Sequence, residues 1–105
     1  MTEDPMILGH YLALSSALFL IGLAGVALNR RNALVLLMAL ELMLLACVLS
    51  FASFARHGLG EEGLVFAMFA LAVSAAETAI GLALLVLVYR SRAGLATESF
   101  SELKG

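Results

Sequence analysis

Two glutamates stand inside long apolar stretches of this sequence, Glu41 in LMALELMLLA and Glu77 in VSAAETAIG. The other charges, from a total of 6 Lys and Arg and 8 Asp and Glu, fall in short polar breaks, in the tails or at segment ends. A carboxylate in hydrocarbon costs about 3 kcal/mol on insertion scales, and such residues usually mark ion or proton paths. A medium of low dielectric disfavours the charged form, and a second carboxyl nearby disfavours it further. Paired glutamates in hydrocarbon therefore suit the uptake and release of protons near neutral pH. The plainer alternative is that each is held protonated as an interhelical hydrogen-bond donor with no transfer role. Two glutamates at matched depth favour the relay.

The remaining polar candidates are weaker. Arg30 and Arg31 form the centre of NRRN. They serve either as topology determinants and lipid-headgroup anchors or, more sharply, to tune proton uptake from the cytoplasm or dock a neighbouring subunit. His10 and His57 each stand apart from other candidate groups and read as interfacial polar residues. The single Cys47 has no second thiol or histidine at metal spacing, so it closes no internal disulfide, builds no zinc site and reads as a small packing residue. Met38, Met43 and Met68 read as packing residues.

The elements that must position the glutamates follow from composition. Over 105 residues the chain is 63% hydrophobic and 13% charged, against about 45–50% and 25% in soluble domains. Its mean hydropathy is +1.06. These values exclude a disordered chain, a secreted disulfide scaffold and a nucleic-acid binder, while the net charge of −2 says little because it resides in loops and tails. Three apolar runs, Ile7 to Leu28, Ala33 to Ala55 and Leu64 to Tyr89, each exceed the ~20 residues that span the hydrocarbon core. None shows strand alternation, so the fold class is all-α: one membrane domain over residues 1–105, three transmembrane helices, and a short tail from 90 to 105. The first run is preceded by Glu3 and Asp4 and is too long for a signal peptide, so it is expected to remain in the mature protein.

Lys and Arg bias orients the chain. Arg30 and Arg31 lie in the first loop and Arg90, Arg92 and Lys104 in the tail, whereas the second loop sets Arg56 against Glu61 and Glu62. The first loop and the C-terminus are therefore expected in the cytoplasm and the N-terminus outside, with Tyr11 and Tyr89 near opposite interfaces. Glu41 then lies ~12 Å from the cytoplasmic start of its helix and Glu77 ~18 Å from the cytoplasmic end of its own. The short second loop makes these helices antiparallel neighbours, so the carboxyls can meet each other or share a cavity at depths ~6 Å apart. The Glu77 face also carries Ala70, Ser74 and Gly81, small residues that admit close approach, which predicts the third helix at the centre of the bundle. The face of the second helix around Glu41 carries Leu37, Met38, Leu44, Leu45 and Val48 and offers no second polar group. Any further relay members then belong to water or other chains.

The order of three spans, the NRRN loop, the glutamate in LELMLLA, the second in AAETAIGLALL and the ending SELKG together resemble the K subunit of bacterial NADH:quinone oxidoreductase, counterpart of chain 4L of mitochondrial complex I. The resemblance covers nearly the whole chain. It implies that Glu41 and Glu77 match the family's two membrane glutamates on a proton path coupled to quinone reduction, and that Arg30 and Arg31 match its cytoplasmic loop arginines. In one departure, relatives often carry an asparagine shortly after the first glutamate, where this chain has Leu45. The implied partners are the other membrane-arm subunits and the lipid bilayer, with no nucleic acid and no stable monomer. The implied location is the bacterial inner membrane, with the mitochondrial inner membrane as the alternative.

The sequence holds neither a Gly-rich phosphate loop after a strand nor a cysteine set for a cluster. No cofactor is expected in this chain, and NAD, flavin, iron–sulfur clusters and quinone belong to other subunits. The enzyme class would be a proton-translocating NADH:quinone oxidoreductase in which this chain is a non-redox subunit, not catalytic alone. Alternatives are a small subunit of a related multi-subunit cation/proton antiporter or membrane-bound hydrogenase, and a purely structural membrane subunit. A rotor-ring proton carrier fits less well, being typically a two-helix hairpin with one carboxylate.

Overall fold

A computed structural model of the chain describes residues 5–58 and 60–104. They form three α-helices, α1 (Pro5–Leu28), α2 (Ala33–Arg56) and α3 (Glu61–Lys104). All three are long and apolar enough to cross a membrane. The residues Glu3 and Asp4, used above to set the first span apart from a signal peptide, lie outside the described residues.

The loops show why the helices stop where they do. Asn32 caps α2, its side-chain oxygen accepting from the backbone N–H groups of Leu34 at 3.1 Å and Val35 at 3.2 Å. Two of the orphan donors of the first turn are thereby satisfied. Between α2 and α3, Gly58 and Gly60 take φ of +85° and +89°, a left-handed backbone that a side chain would strain and that ends α2 abruptly.

α1 packs on α2 and α2 on α3, while among the described residues α1 and α3 do not meet. The central helix is therefore α2, not α3 as the small-residue face had suggested. The reason is that α2 meets small residues on two opposite sides of itself. Toward α1 it turns Ala39 and Ala46, against which Gly22, Gly25 and Ser15 close. Toward α3 it turns Leu37, Glu41 and Phe51, met by Gly81, Ser74 and Gly63. Small residues recur in heptads on every element: Ser15 and Gly22 on α1, Ala39, Ala46 and Ser53 on α2, Ala67, Ser74 and Gly81 on α3. A spacing of seven keeps a seam facing its partner when helices cross at a shallow left-handed angle.

The extents of the molecule are 76 × 25 × 14 Å. With neighbouring axes 8–10 Å apart, the width corresponds to three helices side by side and the thickness to one helix. The fold is a single layer with both broad faces uncovered. The long dimension comes from α3, whose 44 residues continue as helix through the segment from 90 to 104 that the sequence reading assigns to the tail. Arg90 and Arg92 mark the point where its apolar run ends.

Candidate functional site: the carboxyl of Glu41 between two helices

Glu41 lies on the side of α2 that faces α3, and both of its oxygens are engaged. The Ser74 hydroxyl donates to Oε1 at 2.5 Å and the Thr78 hydroxyl to Oε2 at 2.7 Å. Residues 74 and 78 are four apart, so their side chains stack on one face of α3 and point at the same neighbour. Ser74 is 6% exposed, and one heptad further on the same seam is close at Gly81, where a Cβ would stand 2.6 Å from Leu37 Cδ1. Toward the other end of the interface, Phe51 and Phe66 stack with centroids 5.5 Å apart.

Glu77 is level with Glu41. It follows Ser74 by three residues and precedes Thr78 by one, so along the axis it lies about 4.5 Å from the first hydroxyl and about 1.5 Å from the second. The two carboxyls are thus closer in depth than the ~6 Å expected from helix counting. Among the described residues no hydrogen bond joins them directly. Glu77 is half-buried, and its Oε1 is buried with no hydrogen-bond partner. An unsatisfied buried acceptor costs about 1–3 kcal/mol unless a proton, a water or another group meets it.

Glu41 also faces a groove of about 360 Å³ walled by Leu34, Leu37, Met38, Leu45 and Leu82. Leu45 is 50% exposed there, four residues and one turn from Glu41. The wall it supplies is apolar.

The other sequence candidates are dispersed. Arg30 and Arg31 are exposed on the turn between α1 and α2, far along the helices from the second loop. His10 is exposed on α1. His57 does not stand apart: it ends α2, its Nδ1 is 2.7 Å from the Ser53 carbonyl, and its ring meets Tyr11 of α1 edge-on at 6.2 Å. Met43 packs at Gly22, whereas Met38 and Met68 point outward from the layer. Cys47 lines a groove between α1 and α2 beside Ser15 and Ser50.

Three polar residues escaped the sequence reading. Thr78, adjacent to Glu77 and one turn from Ser74, carried a legible signal in that spacing. Ser15 and Ser50 did not, because lone serines in apolar helices are common. Here the Ser15 hydroxyl donates to the Ala46 carbonyl at 2.6 Å. That bond uses its only proton, so Ser50 is the donor in the hydrogen bond between the two hydroxyls.

A layer of three apolar helices with a hydroxyl-clamped glutamate at the α2–α3 seam defines a class of small polytopic membrane subunits. The profile described as NADH-ubiquinone/plastoquinone oxidoreductase chain 4L matches residues 10–105, and the chain belongs to that family. It is 50% identical to NADH-quinone oxidoreductase subunit K of Paracidovorax citrulli (strain AAC00-1), over 93% of this chain and 96% of that protein. It is 52% identical, over the same shares, to the subunit K of Methylibium petroleiphilum. It is also 50% identical, over 93% and 97%, to that of Neisseria meningitidis serogroup C.

Proposed function

We propose that the chain is a membrane-arm subunit of a proton-translocating NADH:quinone oxidoreductase, and that Glu41 and Glu77 are successive stations of a proton path coupled to quinone reduction. The observation that carries this reading is the seam itself. Glu41 is held between two hydroxyls inside membrane-spanning helices, and Glu77, at the same level, keeps an oxygen without a partner. A carboxyl that served only to tie α2 to α3 would need one of these hydroxyls and no second glutamate. Family membership and about 50% identity to subunits K over nearly the full chain support the assignment to the complex.

The chain works inside a larger assembly whose other membrane-arm subunits cover the broad faces of the layer. A sheet of helices 14 Å thick leaves Met38, Met68 and the Leu45 groove to neighbours or lipid. Its location is the bacterial inner membrane, with the N-terminus outside and the turn bearing Arg30 and Arg31 in the cytoplasm together with the C-terminal end of α3. NAD, flavin, iron–sulfur clusters and quinone act in other subunits, and this chain's part is to hold and move protons.

The test is NADH-driven quinone reduction together with proton translocation in membranes carrying Glu41→Gln, Glu77→Gln or both. Glutamine keeps the shape and removes the titration, so each single change should lower translocation. Normal rates and normal proton-to-electron ratios in the double variant would leave a structural subunit as the reading.

A further inference from the structure

We propose that Ser74 is the hydroxyl through which Glu77 and Glu41 exchange a proton, an inference that rests on the two-station reading above. A hydroxyl has one proton to give and two lone pairs to receive with. The Ser74 proton is committed to Glu41 Oε1 at 2.5 Å, which leaves its lone pairs facing away from Glu41. Glu77 follows Ser74 by three residues, the spacing at which helix side chains are neighbours with Cβ atoms about 5–6 Å apart. The carboxyl with the unmet oxygen is therefore a helix neighbour of a buried hydroxyl with free lone pairs; among the described residues no hydrogen bond joins the two, and a rotation of the Glu77 side chain is the motion that would close the gap. Thr78 is placed differently: it adjoins Glu77 in sequence, so its side chain leaves the helix about 100° away from that of Glu77. Thr78 holds Glu41 in place, whereas Ser74 touches Glu41 and lies next to Glu77.

The exchange is balanced without any further reactant. The Glu77 carboxylic acid gives its proton to Ser74 Oγ while the Ser74 O–H gives its own to Glu41 Oε1. One O–H bond breaks at Glu77, one forms at Glu41, and the serine ends neutral with its hydrogen turned toward Glu77. The single negative charge moves from Glu41 to Glu77, and reversal follows the same path.

The experiment compares Ser74→Ala, Ser74→Thr and Thr78→Val in the assembled enzyme in membrane vesicles. Rates are normalised to NADH oxidation by an artificial acceptor, which counts assembled enzyme independently of proton transfer. A positioned proton carrier is worth 10²–10⁴-fold, and a water replacing the lost hydroxyl recovers part of that, so Ser74→Ala should slow NADH-driven proton translocation by about tenfold. It should also raise the solvent deuterium isotope effect on turnover, which loss of packing alone would not do. Ser74→Thr, or Ser74→Cys with a weak S–H should threonine crowd the seam, should recover rate in the order Thr above Cys above Ala. Thr78→Val removes a hydroxyl that positions Glu41 and no carrier, so it should lower the rate with an unchanged isotope effect. Equal losses in Ser74→Ala and Thr78→Val with no isotope change would overturn the relay, as would full translocation in Ser74→Ala. If Ser74→Ala translocates normally while Glu41→Gln and Glu77→Gln do not, only the serine step fails. Normal translocation in all three would remove the two-station reading beneath it.

Discussion

Gly63 of α3 lies against the backbone of Phe51 on α2, so close that a Cβ at Gly63 would stand 2.7 Å from the Phe51 carbonyl oxygen and 2.9 Å from the Ala55 amide nitrogen. Backbone atoms within a helix cannot turn aside, so Gly63→Ala must push the two helices apart near the second loop. The expected cost is about 1–3 kcal/mol. Gly81→Ala is the control, because there the nearest atom is a terminal methyl of Leu37, which another rotamer removes. Thermal inactivation of the assembled enzyme should separate the two, with Gly63→Ala clearly less stable and Gly81→Ala within about 1 kcal/mol of the unsubstituted chain.

The two glutamates should behave as a unit. Stations in series share one flux, so Glu41→Gln with Glu77→Gln should be little worse than the more damaging single change. Losses that multiply in the double variant, measured as proton translocation per quinone reduced, would show independent roles.

The hydroxyl pair between α1 and α2 should contribute to stability and leave pumping alone. Ser15→Ala removes the donor to the Ala46 carbonyl and the acceptor for Ser50 together. Interhelical bonds of this kind contribute about 0.6 kcal/mol on average and at most about 1.7 kcal/mol. A melting curve of the complex should therefore shift by a small amount, with the proton-to-electron ratio unchanged. A fall in that ratio would place α1 on the path.

Arg30 and Arg31 are exposed on their turn, as anchors and topology signals require. Charge alone matters for those roles, so Lys at both positions should retain assembly and turnover while Gln at both should lower the yield of correctly inserted chain. Loss of turnover with Lys at normal yield would instead indicate a planar, two-pronged contact with a neighbouring subunit.

Much of this architecture was legible in the sequence because hydrocarbon leaves the backbone few options. The three spans, and Ser74 and Gly81 on the face that packs on α2, follow from run length and small-residue spacing. The order of the helices did not follow, since Gly22 and Gly25 against Ala39 encode the α1 contact as clearly as Gly81 encodes the α3 contact. Only by reading both sides of α2 does its central place emerge. Thr78 and the contact of His57 with Tyr11 depend on register between helices, which apolar surroundings constrain weakly because one leucine packs on lipid nearly as well as on another helix.

The level register of Glu41 with Ser74 and Thr78 bears on membrane voltage. Carrying one charge through the full potential costs about 2.3 kcal/mol per 100 mV. Glu77 is offset from those hydroxyls by no more than about 4.5 Å along an axis crossing ~30 Å of hydrocarbon. A proton passing between the two carboxyls therefore traverses about a seventh of the field at most, some ~0.3 kcal/mol per 100 mV. On the proposed two-station path, the step across this seam would run sideways through the membrane, nearly blind to the membrane potential, and the electrical work would fall on the segments of that path above and below it.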